Sequence, residues 1–376
     1  MKHFQLWLLL LAAAGMQASP VSYPVFYVWH NGLVATMPYY TSNGATFMPA
    51  TDHSINDAGD VAGAILAPLR SAASWNGSTF TAFGALPGYR ESFANDINNR
   101  GVLVGGSVSG TAWETVEPTE WSGSQIIDLG LSPGFSEGIA DAINNAGQIV
   151  GRQFTPWGEE VATLWDKGKV TPLTSPAPYS EAIAINDSGV AVGGLNSQPV
   201  AWVNGVMSAL PCSADGNAYD VNNSGIAVGV CGNDAVVWNV ATGAITDLGP
   251  GLAQGINNSG VVVGRTGPDV YNPLVNQTFV WSATGGMQIL PGFAWSEPFA
   301  INDSGTIIGY GQLLSDANTD PESDPETPIV TNAGSNGADP APDVPEPDGL
   351  PVFGLLALTG YGFLRRFGMG RAPQAY

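Results

Sequence analysis

Ile256-Asn257-Asn258-Ser259-Gly260-Val261-Val262-Val263-Gly264 is one of seven versions of a single phrase in this 376-residue chain. The others turn at Asn56 and Gly59, Asn98 and Gly101, Asn144 and Gly147, Asn186 and Gly189, Asn222 and Gly225, and Asn302 and Gly305. A second glycine follows four residues later each time, at Gly63, Gly105, Gly151, Gly193, Gly229, Gly264 and Gly309. Asn is a good first residue of a type I turn, because its side chain can bond to the backbone two residues on. The Gly after the turn supplies a left-handed residue, which completes the common hairpin connection with a G1 bulge. Flanking runs such as Val261-Val262-Val263 and Thr306-Ile307-Ile308 are β-branched, as strands prefer. Each phrase therefore predicts two antiparallel strands. A calcium loop is the other reading of an Asn-, Asp- and Gly-rich turn, but such loops need several carboxylates and a late Glu, and four of the seven copies carry Asn-Asn instead.

The spacing between successive hairpin asparagines runs from 35 to 46 residues, a period typical of propeller blades or helical repeats. No amphipathic helical pattern accompanies it. A second landmark recurs between hairpins, a Trp closing a short apolar stretch: Trp29, Trp75, Trp121, Trp165, Trp202, Trp238 and Trp281. After a polar turn comes a strand ending in Leu, as in Ile126-Ile127-Asp128-Leu129 and Ile245-Thr246-Asp247-Leu248. The unit reads as a strand ending in Trp, one ending in Leu, one ending in Ile-Asn, the hairpin, and one ending in Gly. Four strands in about 40 residues is the content of one blade, so residues 19–312 are expected to form a seven-bladed β-propeller. Tryptophans at one phase of every unit read as packing between blades. Ala94, Ala140, Ala182, Ala218 and Ala253, each four residues before a hairpin Asn, suit crowding near the axis.

The formal net charge is −21, and the repeat body holds only seven basic residues, Arg70, Arg90, Arg100, Arg152, Lys167, Lys169 and Arg265. Phosphate backbones attract clustered Lys and Arg, so nucleic acid is not an expected partner. Residues 1–18 read as a secretory signal peptide: a short positive start at Met1-Lys2-His3, an apolar run over Leu6 to Ala14, and small residues at Ala18-Ser19. Export places the two cysteines, Cys212 and Cys231, in an oxidising compartment, where a disulfide stapling two strands of one blade is expected.

Catalytic signals are sparse. His30 and His53 are the only histidines outside the leader, and they could approach each other within the first unit. Asp96, Asp141, Glu181, Asp220 and Glu297 lie beside the hairpin strands at differing phases; paired carboxylates can hydrolyse glycosides. A nucleophile elbow, a phosphate loop and a zinc signature are absent from the sequence. No catalytic residue, metal ligand or cofactor is assigned.

The Trp strand, the Asp-Leu-Gly step and the Ile-Asn-Asp-x-Gly-x-x-x-Gly hairpin resemble the probable extracellular repeat proteins of the HAF family, over roughly residues 25–312. That family is described by its repeats, so the resemblance implies a fold and an extracellular address but no active site. Past it, residues 313–343 turn to Asp, Glu, Pro, Asn, Ser and Gly, the composition of a disordered acidic spacer. Residues 344–376 then hold Pro345-Glu346-Pro347, an apolar stretch from Leu350 to Phe363 expected as a short transmembrane helix, and Arg365-Arg366. These three features in this order resemble a PEP-CTERM sorting signal. The resemblance implies that an exosortase of a Gram-negative, polysaccharide-producing bacterium reads Pro345, Glu346 and Pro347. It also implies that the helix and Arg365-Arg366 hold the precursor in the inner membrane before cleavage releases the body to the surface or medium. Two function classes follow: a non-enzymatic surface or matrix protein that binds extracellular polysaccharide or neighbouring surface proteins, and a propeller glycoside hydrolase or lyase acting on such polysaccharide.

Overall fold

The computed structural model describes residues 24–38, 45–51, 53–66, 68–110, 115–173, 179–267 and 275–314. Their strands form seven antiparallel sheets of four, a seven-bladed propeller. The third blade shows the plan. Its strand nearest the axis, Glu137–Ile143, turns through the Asn144 hairpin into Ile149–Phe154; Glu160–Asp166 and then Lys169–Pro172 follow outward. The hairpins end all seven inner strands at one face of the ring, here the hairpin face. Blades 1, 2, 4, 5 and 6 open with inner strands Thr46–Pro49, Glu91–Ile97, Ser180–Ile185, Gly216–Val221 and Leu252–Ile256.

The turns are built as the hairpin phrase dictates. Gly147 N–H donates to Asn144 O at 3.1 Å, and Gly147 has φ +85, a conformation that costs a residue with a Cβ appreciably more than Gly. The second glycine has a different cause. It stands in mid-strand rather than at the strand end that the sequence suggested, because the strand after each hairpin continues past it. In blades 2 to 7 the register slips at the residue three before the hairpin Asn: Asn95, Asp141, Ile183, Tyr219, Gln254 and Phe299. This bulge swings the inner strand over its partner, so a Cβ on Gly151 would lie 2.1 Å from Ile139 O. The recurring alanine pairs with the second glycine at the same crossing, Ala140 with Gly151 and Ala94 with Gly105, and it packs where neighbouring blades meet, Ala140 in one cluster with Val104 of blade 2 and Ala94 with Ala62 and Ala72 of blade 1.

Blade 7 closes the ring. Phe293–Ile301 and Ile307–Leu313 supply its inner half, and the N-terminal strands Val25–His30 and Leu33–Thr36 its outer half. Trp29 thus pairs with Ile307 and Tyr27 with Gly309 across the two ends of the described chain. The repeat as read in sequence, starting at the Trp strand, is offset by two strands from the blade as built.

The hydrophobic core lies between blades. One cluster joins Ala184, Val192 and Leu210 of blade 4 to Val221, Val236 and Trp238 of blade 5, and another joins Val104 of blade 2 to Ile149 and Trp165 of blade 3. Trp121, Trp165 and Trp238 also donate their indole N–H to Gly84 O, Gly130 O and Pro211 O, carbonyls in the connections leading in from the preceding blade, at 3.0, 2.9 and 2.7 Å. At these three positions the recurring Trp both packs and hydrogen-bonds across the gap. Cys212 and Cys231 form a disulfide with Cα atoms 5.6 Å apart. It ties the segment entering blade 5 to the end of Ile226–Cys231, rather than stapling two strands of one sheet.

Candidate functional site

At the hairpin face each Asn side chain reaches the next blade. Asn56 Nδ2 donates to Asn98 O (3.2 Å), Asn98 to Asn144 O (3.2 Å), Asn144 to Asn186 O (2.9 Å) and Asn186 to Asn222 O (2.8 Å). Asn222 continues to Asn257 O (3.2 Å), Asn257 to Asn302 O (3.1 Å), and Asn302 returns to Asn56 O (2.9 Å). The same side chains hold their own turns, as where Asn144 Oδ1 accepts from Ala146 N–H and Gln148 N–H. Asn alone among side chains of this length offers both the donor and the acceptor.

A second ring lies outside the first. The backbone N–H of Asp57, Asn99, Asn145, Asp187, Asn223, Asn258 and Asp303 each donates to Oδ1 of the next of these residues, at 2.7–3.0 Å, with Asp303 returning to Asp57. Either Asn or Asp meets that need, which is why the phrase allows both at this position. Partial burial works against the charged form of Asp187, but hydrogen bonds from the Asn145 backbone, the Asn145 side chain and Asn223 outweigh it and lower its pKa.

The two rings surround a small axial pocket of about 160 Å³, lined by the hairpin asparagines, an aliphatic girdle that includes Ile143, Val221 and Ile301, and the side chains of His53 and Asp96. The five acids do differ in phase along the sequence, but Asp96 and Asp220 share one, two residues before the hairpin Asn. Asp96 Oδ1 accepts from Ile97 N–H at 2.7 Å and its Oδ2 from Ile143 N–H of the next blade at 2.8 Å. Asp220 repeats this with Val221 N–H (2.7 Å) and Ile256 N–H (2.8 Å). Burial pushes the Asp96 carboxyl up to about 6, against the pull of His53 and the two amides. His53, with φ +51, places Nε2 3.0 Å from Asp220 Oδ1. His30 belongs to blade 7 and meets Thr306 Oγ1 through Nδ1 at 2.9 Å, so the fold puts the two histidines in different blades.

The remaining acids sit toward the opposite face, where they pair with two equivalent arginines. Arg152 meets Asp141 at 3.4 Å, Glu160 at 3.2 Å and, more closely, Glu181 of blade 4, whose other oxygen accepts from Asn217 of blade 5 at 2.8 Å. Burial works against the Arg152 charge, but the three carboxylates hold its pKa above the ordinary value. Arg265 pairs in the same way with Glu297 of blade 7. The sequence carried a signal for this pairing, since each Arg directly follows the second glycine and each Glu lies five residues before the next hairpin Asn.

Among the described residues no group of His, Cys, Asp and Glu has the arrangement of a metal site, and no helix is long and apolar enough to cross a membrane. The signal peptide, the acidic spacer and the sorting residues Pro345, Glu346, Pro347, Arg365 and Arg366 lie outside the described residues.

No family model and no curated protein matches the chain. Solved structures similar to it include the extracellular domain of a protein assigned to a one-component system from B. thetaiotaomicron, at 11% identity and a TM-score of 0.47, over 75% of this chain and 40% of that one. An oligogalacturonate lyase from Vibrio parahaemolyticus aligns at 10% identity and a TM-score of 0.49, over 79% of this chain and 98% of that one. A puromycin-hydrolyzing peptidase from Mycobacterium tuberculosis aligns at 13% identity and a TM-score of 0.45, over 72% and 51%. At such identities the likeness concerns the fold alone.

Proposed function

We propose that the chain is an exported, non-enzymatic binding propeller of the bacterial surface or extracellular matrix. In this reading it recognises extracellular polysaccharide or a surface protein and is released from the inner membrane by an exosortase acting at Pro345-Glu346-Pro347. The observation that carries the non-enzymatic part is how the axial carboxylates are used. Each oxygen of Asp96 and Asp220 already accepts a backbone N–H, and a general acid or nucleophile needs a face open to substrate. A pocket of about 160 Å³ is also far below the several hundred Å³ of ordinary small-molecule sites.

A glycan array and a glycosidase and lyase screen on the full chain test the binding and non-enzymatic parts together. Glycan retention without release of reducing ends or unsaturated products is the expected result. Turnover abolished by Asp96→Asn or His53→Ala would establish the hydrolase or lyase reading instead. Mass measurement of the mature C-terminus tests the sorting part: cleavage near Pro347 is expected, and a full-length terminus on the released protein would refute it.

A further inference from the structure

Trp157 breaks the rule that the repeat imposes on tryptophan. Trp75, Trp121, Trp165, Trp202 and Trp238 are buried between blades, whereas Trp157 is 90% exposed. It sits in the turn joining Ile149–Phe154 to Glu160–Asp166, at the face opposite the hairpins. The turn is firmly made. Gly158 N–H donates to Thr155 O at 2.9 Å, Thr155 N–H to Glu159 O at 3.0 Å, and Gly158 has φ +85. Pro156, at the second turn position, fixes the backbone just before the indole. Tyr179, 55% exposed, is held on the same rim by a backbone bridge to Glu160 and by Asn196 N–H donating to its carbonyl at 2.9 Å. Two large rings are thus displayed on backbone that hydrogen bonds hold in place.

The described polar side chains near them are Glu159 on the turn and, already paired with one another, Arg152, Glu160, Glu181 and Asn217. A protein-binding patch has an apolar centre depleted of acids, which does not describe this rim. A pyranose ring does fit it. Its C–H face lies on an aromatic plane while its hydroxyls donate to carboxylates and accept from guanidinium and amide N–H groups.

Resting on the binding reading above, we infer that the rim carrying Trp157 and Tyr179 is a docking site for an uncharged oligosaccharide. The absence of charge follows from the neighbours: Asp141, Glu159, Glu160 and Glu181 outnumber Arg152, so a polyuronate would be repelled.

Titration calorimetry of the full chain with cellohexaose, chitohexaose and hexagalacturonate tests this, comparing the unmodified protein with Trp157→Ala, Trp157→Phe and Tyr179→Ala. One or both uncharged hexamers should bind and hexagalacturonate should not. Trp157→Ala should weaken binding by about tenfold or more, the scale of a lost stacking platform, and Trp157→Phe should restore most of it, all at unchanged melting temperature. Binding of a hexamer that Trp157→Ala leaves within about twofold overturns this site but not the binding reading. Failure of the unmodified chain to bind any glycan overturns this site and, with it, the polysaccharide part of the binding reading. Preference for hexagalacturonate, or self-association in sedimentation that Trp157→Ala abolishes, overturns the assignment to an uncharged glycan.

Discussion

A single asparagine in each repeat does two jobs, closing its own turn and gripping the next blade. Asn144→Ala removes a donor to Asn186 O and an acceptor for two amides, leaving buried groups unpaired. A loss of about 2 kcal/mol is expected in urea unfolding. The two glycines of one hairpin should separate clearly. Gly147→Ala meets an unfavourable φ, worth about 1 kcal/mol, and the flexible end of Arg100, whose Nη2 lies 3.0 Å from the added Cβ and can swing aside. Gly151→Ala puts a Cβ 2.1 Å from Ile139 O, so the inner strand must move, and the larger loss, about 3 kcal/mol or more, is expected there. At Asp96 the sign follows from burial. Its folded pKa of about 6 lies above the unfolded value, so the native state binds the extra proton between pH 4 and 6. Its contribution to stability is therefore largest at low pH, falls as pH rises through that window, by up to about 3 kcal/mol, and is flat above it. The difference in urea midpoint between the wild type and Asp96→Asn, followed from pH 4 to 8, measures this slope; its absence would refute the raised Asp96 pKa.

At the scale of elements, neighbouring blades are joined by more than apolar packing. Arg152 links Asp141 and Glu160 of blade 3 to Glu181 of blade 4. Arg152→Ala leaves three partly buried carboxylates facing one another, and a loss of about 3–5 kcal/mol at neutral pH is expected. That loss should shrink as the acids are protonated at low pH, which thermal melting at pH 7 and pH 4 would show. The disulfide acts on the other side of blade 4. Cys212 and Cys231 are 19 residues apart, and closing a loop of that length in the unfolded chain is worth about 3 kcal/mol. The Cys212→Ser, Cys231→Ser double variant should lose about that much stability while keeping its β-sheet circular dichroism.

At the scale of the whole molecule, stability depends on closure, because every blade shares its core with its neighbours and blade 7 is assembled from both ends of the described chain. Deleting residues 24–36 would remove two of that blade's four strands and bare the Ile307–Leu313 edge. Aggregation and loss of a single cooperative melt are expected by size-exclusion chromatography and calorimetry. Deleting the whole Val25–Thr36 hairpin should thus be far worse than removing Leu33–Thr36 alone, the outermost strand, which leaves Val25–His30 to cover the edge.

Much of this was legible in the chain because local rules repeat. An Asn turn with a left-handed Gly specifies a hairpin wherever it occurs, a Trp at constant phase specifies an interface, and seven copies specify the ring. The spacing of Cys212 and Cys231 within one repeat likewise placed them within reach of each other. The sequence could not reveal that the second glycine answers a bulge or that Asp96 and Asp220 pin the next blade's backbone. Nor could it show that Trp157 stands in the open while Trp75, Trp121, Trp165, Trp202 and Trp238 are buried. Those facts depend on which strands lie side by side across 35 to 46 residues of chain, and on the pairing of the described chain's two ends in one sheet. Backbone propensity and turn chemistry act over a few residues; burial, register and charge pairing are set only when distant segments meet.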